Sequence, residues 1–276
     1  MKKLINSKLL NSRISNSRSD LDINNQFFTK SKLSQTTLFI IIAILVLGFA
    51  IIMLFVGKAN NNGNNIDISK ISPDVLPVYN LVEDCLRITG EDSLVWVGNR
   101  GGYVISPEKS LDEVAYYFYD NENLMISKES IEENISLYFD NFLSFCFKDF
   151  LDVPDFKVSY GDVKTKTRIE NSSVFIDVKL PLTILKSDKR YYLNDFQTEI
   201  SVRLGTIYNV NSEIIAEQMK KKDAVCFSCL KRISEKNNVT INMFDAANNS
   251  ILFVVSDDLS KINDKNYEFY FVNKYE

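Results

Sequence analysis

Cys85, Cys146, Cys226 and Cys229 are the residues of this chain best suited to chemistry, and no histidine accompanies them. Without histidine there is no Ser-His-Asp or Cys-His nucleophilic site, no His-ligated zinc or iron, and no imidazole general base. An even set of cysteines on the oxidising side of a membrane favours disulfides. Cys85 and Cys146 each fall on the apolar stripe of a helical segment, so they can meet where those helices pack. Cys226 and Cys229 are already neighbours in sequence. The expected pairs are therefore Cys85–Cys146 and Cys226–Cys229. The first closes a long loop and contributes about 3–4 kcal/mol on a chain-entropy account.

The C-x-x-C pair has sharper readings. A thiol oxidoreductase needs a low-pKa cysteine at a helix N-terminus near positive charge. Cys226 precedes a short helical stretch and follows Lys220-Lys221-Lys222. A helix, however, stands where a thioredoxin-like unit has a strand before its cysteines. A zinc site would need two further ligands from Cys85, Cys146 or carboxylates. A structural staple is the simplest assignment.

Other motifs are weaker. Ser228-Cys229-Leu230-Lys231 fits S-x-x-K, but S-D-N and K-T-G are absent. Gly98-Asn99-Arg100-Gly101-Gly102 lacks the strand-before, helix-after setting of a phosphate loop and reads as a helix-ending turn. The acidic pairs Glu83/Asp84, Asp112/Glu113, Glu132/Glu133 and Asp257/Asp258 form no EF-hand pattern and read as solvated surface. The run Tyr116-Tyr117-Phe118-Tyr119 on a strand would turn every second ring outward. That offers Tyr117 and Tyr119 as binding rings for a glycan or a partner protein, against the alternative of core plus rim. No metal and no cofactor is implied.

The elements that position these residues follow from periodicity. Apolar residues Val78, Leu81, Val82, Cys85 and Ile88 recur at helical spacing, which predicts a helix over 75–97. Gly90 weakens its middle, and Gly98, Gly101 and Gly102 end it. A hairpin is expected across Asp120-Asn121-Glu122-Asn123. Ser130 and Glu133 suggest a capping box opening a helix over 130–150, with Ile131, Ile135, Phe139, Phe142, Cys146 and Phe150 on one face. The period then switches to two. Val174, Ile176, Val178, Leu180, Leu182 and Ile184 alternate with mostly polar neighbours, and segments 156–161, 163–169 and 196–204 behave likewise. A third helix over 207–222, a short fourth over 227–236 and short strands at 239–244, 251–256 and 267–272 complete the set. Strands in runs and helices in runs argue for an α+β fold, an antiparallel meander with one wet face covered on the other by helices.

Residues 38–57 (LFIIIAILVLGFAIIMLFVG) carry no charge, and twenty residues of helix reach across about 30 Å of hydrocarbon. Residues 1–37 hold a net charge of +5 and residues 58–276 a net of −9. The positive-inside rule then keeps the basic arm in the cytoplasm and exports the rest. A cleaved secretory signal fits less well, because its apolar region is shorter and Gly57-Lys58-Ala59 is a poor cleavage site. The expected organisation is a disordered cytoplasmic arm (1–37), a transmembrane helix (38–57), an Asn-rich linker (58–73) and an extracytoplasmic domain (74–276). Lipid is one partner. An acidic domain is not shaped by charge to hold nucleic acid.

Several segments carry a resemblance: Gln35-Thr36-Thr37-Leu38-Phe39, Val82-Glu83-Asp84-Cys85-Leu86, Gly101-Gly102-Tyr103-Val104, Val158-Ser159-Tyr160-Gly161, Val178-Lys179-Leu180-Pro181-Leu182, Val202-Arg203-Leu204-Gly205-Thr206 and Cys226-Phe227-Ser228-Cys229-Leu230. They span most of residues 35–276, and the chain resembles a family of uncharacterised single-span membrane proteins of small-genome archaea. The resemblance implies an envelope topology and no particular reaction. A basic leader followed by Ser34-Gln35 and an apolar helix is also similar to class III prepilins. The acidic residue those signals place early in the helix is missing, and Ser34 stands for the usual glycine. The leading expectation is a non-catalytic, membrane-tethered binding or structural module. A pilin-like subunit and a thiol oxidoreductase using Cys226 and Cys229 are the alternatives.

Overall fold

The computed structural model describes residues 40–49 and 71–275. Residues 40–49 are helical with their side chains largely exposed. Among the described residues no helix is long and apolar enough to cross a membrane. The basic arm, the rest of 38–57 and most of the linker lie outside the described residues.

From Pro73 onward the chain forms helices packed with two sheets. Helix α1 (Leu76–Asn99) carries Pro77 in its first turn, where a missing N–H does no harm. It buries Val78, Val82, Cys85, Leu86, Leu94 and Val97. Gly90 and Gly98 lie inside the helix and mark close approaches rather than its end. A Cβ at Gly90 would sit 2.3 Å from Ile200 Cδ1, and one at Gly98 only 2.8 Å from the Glu268 carbonyl oxygen and the Tyr267 hydroxyl. These contacts show that α1 leans on both sheets. It stops where Gly101 (φ +66°) and Gly102 (φ +94°) turn left-handed and the Gly102 N–H reaches back to the Val97 carbonyl. The phosphate-loop reading of this segment thus gives way to a helix-ending turn.

Strands β1 (Ser110–Leu111), β2 (Val114–Tyr119) and β3 (Glu122–Asn123) come next. β2 and β3 form the expected hairpin, tighter than anticipated, because Asp120 and Asn121 both take positive φ and leave two residues in the turn. Helix α2 (Lys128–Phe147) starts two residues earlier than its sequence suggested. Ser127, not Ser130, is its cap, and the Ser127 hydroxyl accepts from the Ser130 N–H. Its buried stripe is Ile131, Ile135, Phe139, Leu143 and Phe147, so Phe142 and Cys146 lie off the core line.

Strands β4 (Lys157–Tyr160), β5 (Lys164–Ile169), β6 (Val174–Lys186) and β7 (Lys189–Ile200) form one antiparallel sheet. It is not a simple meander. β4 and β5 pair with successive halves of β6, Tyr160 opposite Leu182 and Lys164 opposite Lys179, while β7 takes the other edge. Pro181 sits where the register with β7 shifts, the place in a strand that tolerates a missing donor.

Helices α3 (Leu204–Lys220) and α4 (Phe227–Asn237) lead to β8 (Thr240–Ala246), β9 (Ser250–Ile262) and β10 (Lys265–Lys274). These strands rejoin the first three in the order β1-β2-β10-β9-β8. β10 runs parallel to β2, a mixed pairing beyond the all-antiparallel expectation. β9 is twice as long as expected, with thirteen residues. The architecture is α+β, with predominantly antiparallel sheets.

Candidate functional site

Both expected disulfides form. Cys85 and Cys146 join α1 to α2 with Cα atoms 5.6 Å apart, and Cys226 joins Cys229 at 5.2 Å. Among the described residues no cysteine is free and no group of acidic or cysteine side chains is placed to hold a metal.

The Cys85–Cys146 bridge lines a groove of about 520 Å³ along the seam of α1 and α2, together with Leu81, Ile88, Tyr138, Phe142 and Phe145. Its geometry follows from the two helices. α2 carries Tyr138, Phe142 and Phe145 at four- and three-residue spacing, beside the core stripe rather than on it. Trp96, two turns beyond Ile88 on α1, extends the row. The rings form a ladder: Trp96 to Tyr138 at 6.1 Å, Tyr138 to Phe142 at 4.6 Å, Phe142 to Phe145 at 6.1 Å, all tilted. Phe145 is 73% exposed, and Ile88 and Val95 add exposed apolar surface nearby. A soluble surface seldom leaves such a patch open without use.

A second hollow of about 480 Å³ shares Asp92, Trp96 and Tyr138 with this neighbourhood and runs on past Lys265, Glu268 and Tyr270. Trp96 is fixed at the junction. Its indole N–H donates to the Val104 carbonyl at 3.0 Å, and the Arg100 guanidinium lies 3.7 Å over its ring. Arg100 is held in turn by Glu113. The charged lining is mostly acidic: Asp84, Asp92, Asp152 and Glu268 against Lys148 and Lys265. Burial, with Glu91 as a secondary repulsion, pushes the Asp92 carboxyl up from its ordinary value. A cation entering the groove would therefore relieve Asp92 as well as meet the rings.

The tyrosine run behaves differently from its expectation. Tyr117 is fully buried, stacked 4.8 Å from Phe271, and its hydroxyl donates to the Gly101 carbonyl. It is a core residue and not a binding ring, because both faces of β2 are closed at this point: Tyr116 and Phe118 are buried too. Tyr119 is half-buried, with Lys109 and Lys274 over its ring at 4.9 and 4.5 Å. Its face is already engaged by cations.

Asp257 also departs from expectation. It has no solvent exposure and is bound by Arg203, which also reaches the carbonyls of Asn237 and Asn238. Ser260 and the Leu259 N–H complete its shell. This buried ion pair anchors the start of α3 to β9.

The aromatic ladder was not singled out from sequence. The available signal was that Tyr138, Phe142 and Phe145 form a second helical stripe next to the first, which a single-stripe reading assigns to the core. Comparison with known proteins gives no matching family model, no curated relative and no solved structure of significant similarity.

Proposed function

We propose that this chain is a membrane-tethered envelope protein whose outer domain is a binding module, with the α1–α2 groove as its binding face. The tether rests on the uncharged twenty residues 38–57 between a basic arm and an acidic domain. The N-terminus of the chain then lies in the cytoplasm and the domain outside the cell, a compartment that suits two disulfides. Protease added to intact cells removes the C-terminal domain under this reading and leaves it intact if the topology is reversed.

The occupant is a cationic amphipathic segment of another envelope protein. The observation that carries this is the exposed aromatic ladder set in a lining of four carboxylates against two lysines. Lysine or arginine side chains gain both ion pairs and aromatic faces there, while an apolar stripe covers Phe142 and Phe145. A glycan is a poorer fit. Sugars favour an open flat ring, and Trp96 has Arg100 stacked on one face with Tyr138 tilted against it.

Trp96 is the single tryptophan of the chain, so its fluorescence reports on this site alone. Titration of the full chain with a Lys-rich amphipathic helical peptide should shift Trp96 emission, and more weakly at high salt. A Glu-rich peptide of the same apolar pattern should not bind. Phe145→Ala should weaken binding about tenfold, roughly 1.4 kcal/mol. Equal response to both peptides, or a response only to oligosaccharide, removes this assignment of the partner.

A further inference from the structure

The second disulfide lies apart from the groove, and its surroundings are those of a reactive pair. Cys226 is the residue before the first turn of α4, an eleven-residue helix, and the Leu230 N–H closes that turn on the Cys226 carbonyl. Both sulfurs belong to half-buried residues within reach of solvent. Phe227 between them is 70% exposed, an apolar ring turned mostly to solvent. The Ser228 hydroxyl stands 3.6 Å from Cys226 Sγ. On the other side, Glu217 Oε2 of α3 lies 3.8 Å from Cys229 Sγ, while Glu217 Oε1 is held by Lys220 at 3.1 Å and Arg232 at 3.2 Å. The two cysteines therefore have unlike neighbours: a helix N-terminus and a hydroxyl for Cys226, a fixed carboxylate for Cys229.

We infer that Cys226–Cys229 is a thiol–disulfide exchange site for a protein dithiol, with the Glu217 carboxylate as the base for the Cys229 thiol when the bond re-forms. A thiolate of the incoming dithiol attacks Cys226 Sγ. The Cys226–Cys229 bond breaks, and Cys229 leaves as a thiolate, which takes a proton from solvent. The second thiolate of the partner then attacks its own sulfur in the mixed disulfide and releases Cys226 as a thiolate. The partner loses two electrons and ends as a disulfide; this chain gains them and, with two protons from solvent, ends as a dithiol. In reverse, Glu217 accepts the Cys229 proton as that thiol attacks a mixed disulfide on Cys226. The helix N-terminus favours the Cys226 thiolate in both directions. Phe227 supplies the apolar surface against which the partner chain docks. Cys85–Cys146, with Cys85 fully buried, takes no part.

Dithiothreitol serves as the probe dithiol on the full chain, with thiols counted by alkylation and peptide mass. The exchange site should reduce completely while Cys85–Cys146 stays closed, and that closed bridge reports an intact fold in every variant. In reduced chain, Cys226 should alkylate at pH 7 at least about tenfold faster than free cysteine. A mixed disulfide of Cys226 with thionitrobenzoate should resolve about 100-fold more slowly in Glu217→Gln, the low end of what a positioned base contributes. Equal reduction of the two bridges, or native-rate resolution in Glu217→Gln with Cys85–Cys146 intact, overturns the inference and leaves Cys226–Cys229 a passive staple.

Discussion

The β4–β7 sheet and the sheet built around β9 and β10 handle polar residues in opposite ways. Along β6 the inward set Val174, Ile176, Val178, Leu180, Leu182 and Ile184 is buried, and the residues between them are not. The outward face meets water. Lys166 of β5 stands opposite Asp177 of β6, and Asp177 opposite Gln197 of β7. In β9, residues 253–257 are buried without a break, and the last of them is an aspartate. Where one face of a sheet is wet, a carboxylate is an ordinary surface group. Where both faces are closed, the same side chain must be paired, and the pair becomes a structural joint.

The largest break in that contrast comes at Asp257. Asp257→Ala leaves Arg203 partly buried without its carboxylate, and the loss should be about 3–5 kcal/mol, measured by chemical unfolding followed through Trp96. The same joint gives the domain an acid limit. Burial alone would push the Asp257 carboxyl up, but hydrogen bonds from Arg203, Ser260 and the Leu259 N–H outweigh it and hold it below 3.8. Its folded value is thus depressed relative to the unfolded chain. The stabilisation is fully present above the unfolded value near 3.9 and is lost as pH falls through the folded one. Wild-type stability should drop more steeply below pH 4 than that of the Asp257→Asn variant. Parallel acid profiles for the two proteins would remove Asp257 from this role.

The same contrast explains what the sequence revealed. The alternation in β6 was readable because one side of each pair of neighbours is in water. β9 was half missed, since Asp257, Asp258 and Ser260 resemble a surface loop when partners fifty residues away are out of view. Tyr116 to Phe118 failed for the same reason: alternation predicts one exposed face, and β2 has none there. The cysteine pairs were legible because each of Cys85 and Cys146 lay near a helical stripe and Cys226 and Cys229 were adjacent. The groove was only half legible. Cys85 and Cys146 marked the seam, but whether Phe142 points into the core or over it depends on a rotation of α2 that local spacing does not settle. The capping of α2 by Ser127 rather than Ser130 decided nothing about that rotation; the packing of Leu143 and Phe147 did.

Helix α1 touches both sheets through a glycine, so one substitution type can be compared across them. Gly98→Ala places a methyl 2.8 Å from a backbone oxygen of β10, which cannot step aside without moving the strand. Even after the helix-propensity gain of about 1 kcal/mol, it should destabilise by about 1–3 kcal/mol. Gly90→Ala meets the terminal methyl of Ile200, which can rotate, and the same propensity gain should bring its net effect to within about 1 kcal/mol of zero. Unfolding midpoints of the two variants should therefore differ clearly. If Gly90→Ala were the more damaging, the β4–β7 sheet and not the β9–β10 sheet would be the rigid partner of α1.

The smallest effect is expected on the wet face itself. Lys166 is exposed, and its neighbour across the strand, Asp177, remains accessible to water when the lysine is removed. Two water-accessible opposite charges facing each other across a ladder gain little Coulomb energy at high dielectric, and holding them in contact would cost side-chain freedom. Lys166→Ala should change stability by less than about 0.5 kcal/mol, against several for Asp257→Ala in the closed sheet. Both proteins can be unfolded in the same denaturant series at low and at high salt. Salt should move the Lys166 variant and wild type toward each other while leaving the Asp257 deficit almost unchanged, because water and ions reach the first pair and not the second.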